Sequence, residues 1–201
     1  MMNADIAHRA ENRAARLITD GMEPRNVIVL VSLGVGAAQS SPMIGLLWAL
    51  EAILFAALIP MAYIKYGIRK GQWADRHVGQ RQRRLLLIPV IMASVGAGIG
   101  GMLWFGAPQA MFALVVAMLA TLAVLLPVTA VWKISVHTAV AGGSLAMLAL
   151  TYGPLMWIAA PVVLVIAWSR ISLGDHTPAQ TIAGAVAGTV TSYLVFAALS
   201  A

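Results

Sequence analysis

The sequence predicts an all-α protein, a polytopic transmembrane helical bundle of six or seven spans preceded by a short N-terminal amphipathic helix. Three observations carry that expectation. The 201 residues are 61% hydrophobic and 10% charged, against about 45–50% and about 25% in soluble globular domains. The apolar residues fall in long runs broken by turn residues. The positive excess, a net charge of +6, is gathered in a few short polar segments. The same figures exclude a disordered chain, which is poor in apolar residues and rich in charge. With no cysteine, a disulfide framework, a thiolate metal site and a cysteine nucleophile are excluded as well.

Two units are expected: an interfacial segment over 1–25 and a single transmembrane domain over 26–201. In the first, Ile6, Ala10, Ala14, Leu17 and Ile18 recur at helical spacing with Arg9, Arg13 and Arg16 between them, and Gly21 offers a stop. That pattern suits a helix lying on a membrane surface. Its charged stretch reaches Asn26, longer than the leader of a signal peptide. Apolar spans follow at about 26–40, 43–66, 85–105, 109–132, 134–152, 154–168 and 178–199. A helix needs about 20 residues to cross ~30 Å of hydrocarbon, so the first and sixth are expected to be short. The breaks at Ser40-Ser41-Pro42, Gly106-Ala107-Pro108 and Tyr152-Gly153-Pro154 place proline where a new helix begins and its missing N–H costs little. The spacings Gly96–Gly100 and Gly184–Gly188 predict close helix contacts.

Seven spans would put the head, the segment 67–84, Lys133 and the 169–177 junction on one face, with all 13 Lys and Arg on or beside it. The opposite turns carry no charged side chain. Lys and Arg in short loops mark the cytoplasmic side, and Arg9, Arg13, Arg16, Arg25 and Lys65 bear on this independently of any anion site. Three clusters on that face could carry chemistry. Asp75 to Arg84 (DRHVGQRQRR) supplies Arg76, His77, Arg81 and Arg84 before the third span; arginine offers phosphate a planar fork of donors. Lys133, Ser135 and His137 (WKISVHTA) stand at the start of the fifth span, where helix N–H groups favour an anion. Ser169, Arg170, Asp175, His176 and Gln180 (SRISLGDHTPAQ) end the sixth span and open the seventh, with Thr177-Pro178 as cap and first-turn proline. Together they describe a site for a phosphate attached to something living in the membrane. Glu51, midway along the second span, is read as a structural carboxyl.

The third cluster, Ser-Arg, five residues, then His, resembles the last motif of the type-2 phosphatidic acid phosphatase superfamily, especially its polyprenyl-phosphate and dolichyl-diphosphate phosphatase-like members. Ile134-Ser135-Val136-His137 is similar to that superfamily's middle motif, Pro-Ser-Gly-His. The opening motif, a Lys, six residues, then Arg-Pro, fits in either of two registers: His77 with Arg84-Leu85, or Arg76 with Arg83. The resemblance covers roughly 65–190. It implies that His176 attacks phosphorus to form a phosphohistidine and that His137 protonates the leaving oxygen, then activates water. It also implies that Arg170, Ser135 and Arg84, with Lys133, Arg76 and Ser169, hold the phosphate, with Asp75, Arg81, His77 and Asp175 as support. Gln180 stands where the superfamily usually has an Asp that orients the nucleophilic ring. No metal and no cofactor are implied; the expected partners are a lipid phosphate or diphosphate substrate and membrane lipids, not nucleic acid. The rival expectation is a non-catalytic protein that binds or carries anionic lipids on a degenerate phosphatase scaffold. A prenyl- or phosphotransferase would call for Asp-rich metal-binding clusters, which the sequence lacks.

Overall fold

The computed structural model describes residues 13–70 and 81–201, and only the backbone of 81–86. Among the described residues the chain is helical, with no strand. The helices are α1 (13–21), α2 (Pro24–Ala37), α3 (Pro42–Ile53), α4 (Ile59–Arg69), α5 (Arg81–Phe105), α6 (Gln109–Val131), α7 (Val136–Tyr152), α8 (Ala160–Ser172) and α9 (Pro178–Ser200). A π-helical turn, Leu54–Leu58, joins α3 to α4 as one continuous rod, and a 3₁₀ turn, Pro154–Ala159, leads into α8. Proline opens α2, α3 and α9 at the first turn, whereas Pro108 caps α6 from outside.

Among the described residues five stretches are long and apolar enough to cross a membrane: Pro42–Arg69, Leu87–Phe105, Gln109–Val131, Pro154–Ser172 and Pro178–Ser200. Large apolar side chains such as Met43, Trp104, Val131, Leu155 and Ile158 point outward; soluble monomers rarely expose such patches, and the pattern marks a membrane protein. Two expected spans are shorter, Pro24–Ala37 and Val136–Tyr152. The sixth span, expected over 154–168, reaches 19 residues because α8 continues to Ser172. α7 is short for a different reason. It lies inside the bundle against α2, α6, α8 and α9, and most of its residues are buried.

Small residues set that arrangement. A Cβ on Gly184 would strike the carbonyl oxygen of Ser135, and one on Gly188 would strike that of Ala139. α9 therefore lies directly on α7, as the Gly184–Gly188 spacing predicts. Gly96 and Gly100 make no such contact; in α5 it is Gly98 that faces Phe55 and Gly101 that faces the Glu51 carboxyl. Spacing alone did not tell which side of α5 meets a partner. The π-turn exposes the Phe55 carbonyl, and the Ser94 hydroxyl donates to it at 2.7 Å. Glu51 has no hydrogen-bond partner among the described residues.

The bundle is filled unevenly. Val31, Val35, Ala49, Met102, Met111, Leu114, Met147 and Phe196 form a continuous core toward one end. At that end Tyr152 OH donates to the Gly34 carbonyl and Gln109 to the Ala201 carbonyl. The other end, where α7 and α9 begin, is hollow.

α1 is not a detached tail. Asn26 donates through Nδ2 to the Gly21 carbonyl at 3.0 Å and the Asp20 carbonyl at 3.3 Å, closing the turn between α1 and α2. Ala15 and Thr19 are its buried residues, whereas Leu17, expected on the apolar face, points away from the protein. α2 begins at Pro24, slightly before the expected boundary at residue 26.

Candidate active site

The five-residue spacer between Ser169-Arg170 and His176 is a folded device. α8 ends at Ser172, and Gly174 takes the left-handed conformation (φ 69°) that glycine adopts without a Cβ clash. The chain doubles back, so that the N–H groups of Asp175 and His176 both donate to the Arg170 carbonyl, at 3.1 and 3.2 Å. His176 is thereby delivered to the N-terminus of α9. There Thr177 is the N-cap and forms a reciprocal capping box with Gln180.

Gln180 has a second task. Its Oε1 accepts from the Thr177 N–H at 3.1 Å and lies 3.2 Å from Nδ1 of His176. The same Nδ1 lies 3.2 Å from the Lys133 carbonyl oxygen. Both neighbours are acceptors, so Nδ1 carries a proton and Nε2 is the ring nitrogen turned away from them. The amide orientation of Gln180 follows from the Thr177 N–H, which requires an oxygen.

α7 begins beside α9. The Ser135 N–H donates to the Gln180 carbonyl at 3.2 Å, and the Thr138 hydroxyl donates to the Thr181 carbonyl at 2.8 Å. Ser135 is fully buried, and its hydroxyl accepts from the Thr138 N–H as the N-cap of α7. His137 follows one residue into α7. It and His176 are 9% and 6% exposed, and both line one cavity of about 210 Å³. That cavity extends past Ser144 to Met147, about 16 Å along α7 at 1.5 Å per residue. Its walls are mainly apolar, with Ile64, Leu87, Ile91 and Leu122 among them.

Arg170 is 2% exposed. Its guanidinium pairs with the Asp175 carboxylate at 2.8 Å, and Nε has no hydrogen-bond partner among the described residues. It does not line the cavity; Asp175 and, at longer range, Asp20 supply the negative charge around it. Ser169 is fully buried, donating to the Ile166 carbonyl at 2.8 Å, with Thr19 of α1 3.1 Å from its hydroxyl. Lys133 meets His176 through its backbone oxygen. The structure thus brings together His137, His176, Gln180, Lys133, Ser135, Ser169, Arg170 and Asp175. Asp75, Arg76 and His77 lie outside the described residues; Arg81 and Arg84 belong to the first turn of α5, with only their backbone described. Among the described residues no three His, Asp or Glu side chains are grouped to hold a metal ion.

Glu23 and Arg25 were not expected at the site, yet both line the cavity with the two histidines. Glu23 is 4% exposed, and its carboxylate lies 2.7 Å from Arg25 Nε. The one local signal was Glu23-Pro24-Arg25, a helix-opening proline between two charges. No family model, no curated protein and no solved structure matches this chain.

Proposed function

We propose that the protein is a lipid phosphatase of the inner or plasma membrane that hydrolyses a lipid-linked phosphate or diphosphate through a phosphohistidine, without a metal. A polyprenyl carrier is the preferred substrate and a glycerophospholipid phosphate the second. The observation that carries this reading is the setting of His176, whose Nδ1–H faces two fixed acceptors at the head of an apolar cavity shared with His137.

In the proposed reaction Nε2 of His176 attacks phosphorus and an N–P bond forms. The P–O bond to the lipid breaks, and His137, as imidazolium, gives its proton to the leaving oxygen. The product is a lipid alcohol or, from a diphosphate, a lipid monophosphate. Neutral His137 then takes a proton from water, which attacks phosphorus as the N–P bond breaks and phosphate leaves. Arg170 exchanges Asp175 for the phosphate oxygens, and the N-termini of α7 and α9 add their dipoles to the charge that builds there. The lipid's apolar tail occupies the cavity toward Met147.

The two short helices count as spans in this reading, giving seven, with α1 at the interface on the basic, cytoplasmic face. The expected result is that His176→Ala and His137→Ala each abolish phosphate release from a prenyl phosphate in detergent, with chelator without effect. Full activity of the His176 variant would overturn the mechanism. A second reading, a protein that binds or carries anionic lipids without turnover, is favoured by the Asp175 carboxylate already seated on Arg170. It predicts lipid binding with no phosphate release from the wild type.

A further inference from the structure

A second hollow lies beside the histidine-lined cavity, on the outside of the bundle. α2 packs on α3, on the π-turn and on α7, and diverges from α4. The groove left between them has a volume of about 330 Å³. Arg25 and Val29 of α2 form one bank, and Met61, Ala62 and Lys65 of α4 the other. Ala62 and Lys65 are exposed on the outer surface. Arg25, Ala57 and Met61 belong to both hollows, so the groove and the cavity are separated by a shared wall rather than by a packed helix.

The distribution of charge along the groove is that of a lipid phosphate. Arg25 and Lys65 stand at the end nearest α1, level with the site, and Val29 and Met61 lie below among apolar residues. Glu23, buried in the cavity wall, holds one side of the Arg25 guanidinium at 2.7 Å. A guanidinium has five N–H donors in a planar fork, and this one is about one-third exposed, so it can grip a phosphate while anchored to Glu23. A free phosphate would need no apolar floor, and a neutral lipid would need no cation.

We infer that the α2–α4 groove is the lateral portal through which a membrane lipid phosphate reaches the histidines. Lys65 and Arg25 receive the headgroup from the bilayer, and Arg25, present on both sides of the shared wall, passes it to the cavity. The ligand's identity as a substrate rests on the phosphatase reading; the groove's selectivity for a lipid phosphate does not.

The test uses the full chain in phosphatidylcholine vesicles with a prenyl phosphate bearing a photoreactive diazirine near the phosphate. In the His176→Ala protein, labelling is expected on the peptides of α2 and α4. It should fall about tenfold in Arg25→Gln, which removes a charge-assisted contact. Labelling confined to other helices, or unaltered in Arg25→Gln, overturns the portal. In an otherwise wild-type protein, Ala62→Trp should lower release from the vesicle-borne lipid relative to release from water-soluble phenyl phosphate, by at least about tenfold. An equal loss on both overturns the portal as well. Groove labelling in a wild-type protein that releases no phosphate leaves the portal standing and removes the phosphatase reading. Phosphate release without groove labelling does the reverse.

Discussion

Two oxygen acceptors meet Nδ1 of His176, and one of them, the Lys133 carbonyl, comes from another helix junction. Gln180 supplies the other and cannot, as a carboxylate would, stabilise an imidazolium by charge. A neutral orienting group suits a nucleophile, which reacts from the neutral ring. Asp175 is the complementary case. Among the described residues it is the one carboxylate paired with Arg170, and a buried charge left unpaired is costly. Asp175→Asn should lower unfolding stability by about 1–3 kcal/mol, and inorganic phosphate should raise its melting temperature more than the wild type's, because the anion fills the vacated place. A melting curve in detergent with and without phosphate measures both effects. A variant as stable as the wild type and no more responsive to phosphate would show that Asp175 does not hold Arg170 against an anion.

At the scale of helices, the α7–α9 seam fixes the distance between the two histidine-bearing N-termini. The contact was legible in the sequence because two glycines one turn apart allow backbones to approach. Gly188→Leu should therefore destabilise the bundle by about 1–3 kcal/mol or more, the range for overpacking a close contact. Gly96→Ala, which meets no atom within 4 Å, should be neutral or stabilising by up to about 1 kcal/mol, as alanine is the better helix former. Thermal unfolding of the two variants in one detergent compares them; equal losses would place the packing of α9 elsewhere. The helix breaks were equally legible, since proline opens α2, α3 and α9. The spacer from Arg170 to His176 could be read as a turn from Gly174. What no local pattern encodes is tertiary: Thr19 reaching Ser169 across 150 residues, Glu23 and Arg25 in the wall beside His137, and a carbonyl rather than an ammonium of Lys133 on His176. Each depends on which helix faces meet, and periodicity fixes a face without naming its neighbour.

Across the whole molecule, one end is tightly filled and the other is hollow, basic and bordered by three helix starts. Glu23 and Arg25 at the start of α2, His137 at the start of α7 and His176 at the start of α9 line that hollow. The turns at the opposite end, 39–42, 106–108 and 152–154, carry no charged side chain. With α2 and α7 counted as spans, the chain ends opposite the site. A reporter fused after Ala201 should read as extracytoplasmic; a cytoplasmic reading would mean that the site faces outward or that one short helix does not cross. The central claim concerns chemistry rather than topology, and is tested most directly by trapping the covalent intermediate. Wild-type protein mixed with a ³²P-labelled prenyl phosphate and quenched in base within a turnover should carry acid-labile label on the peptide containing His176. The label should persist longer in His137→Ala whenever the intermediate forms, because no base activates the water that releases it. Phosphate release by the wild type with no label on His176, or label that survives in His176→Ala, would contradict the account.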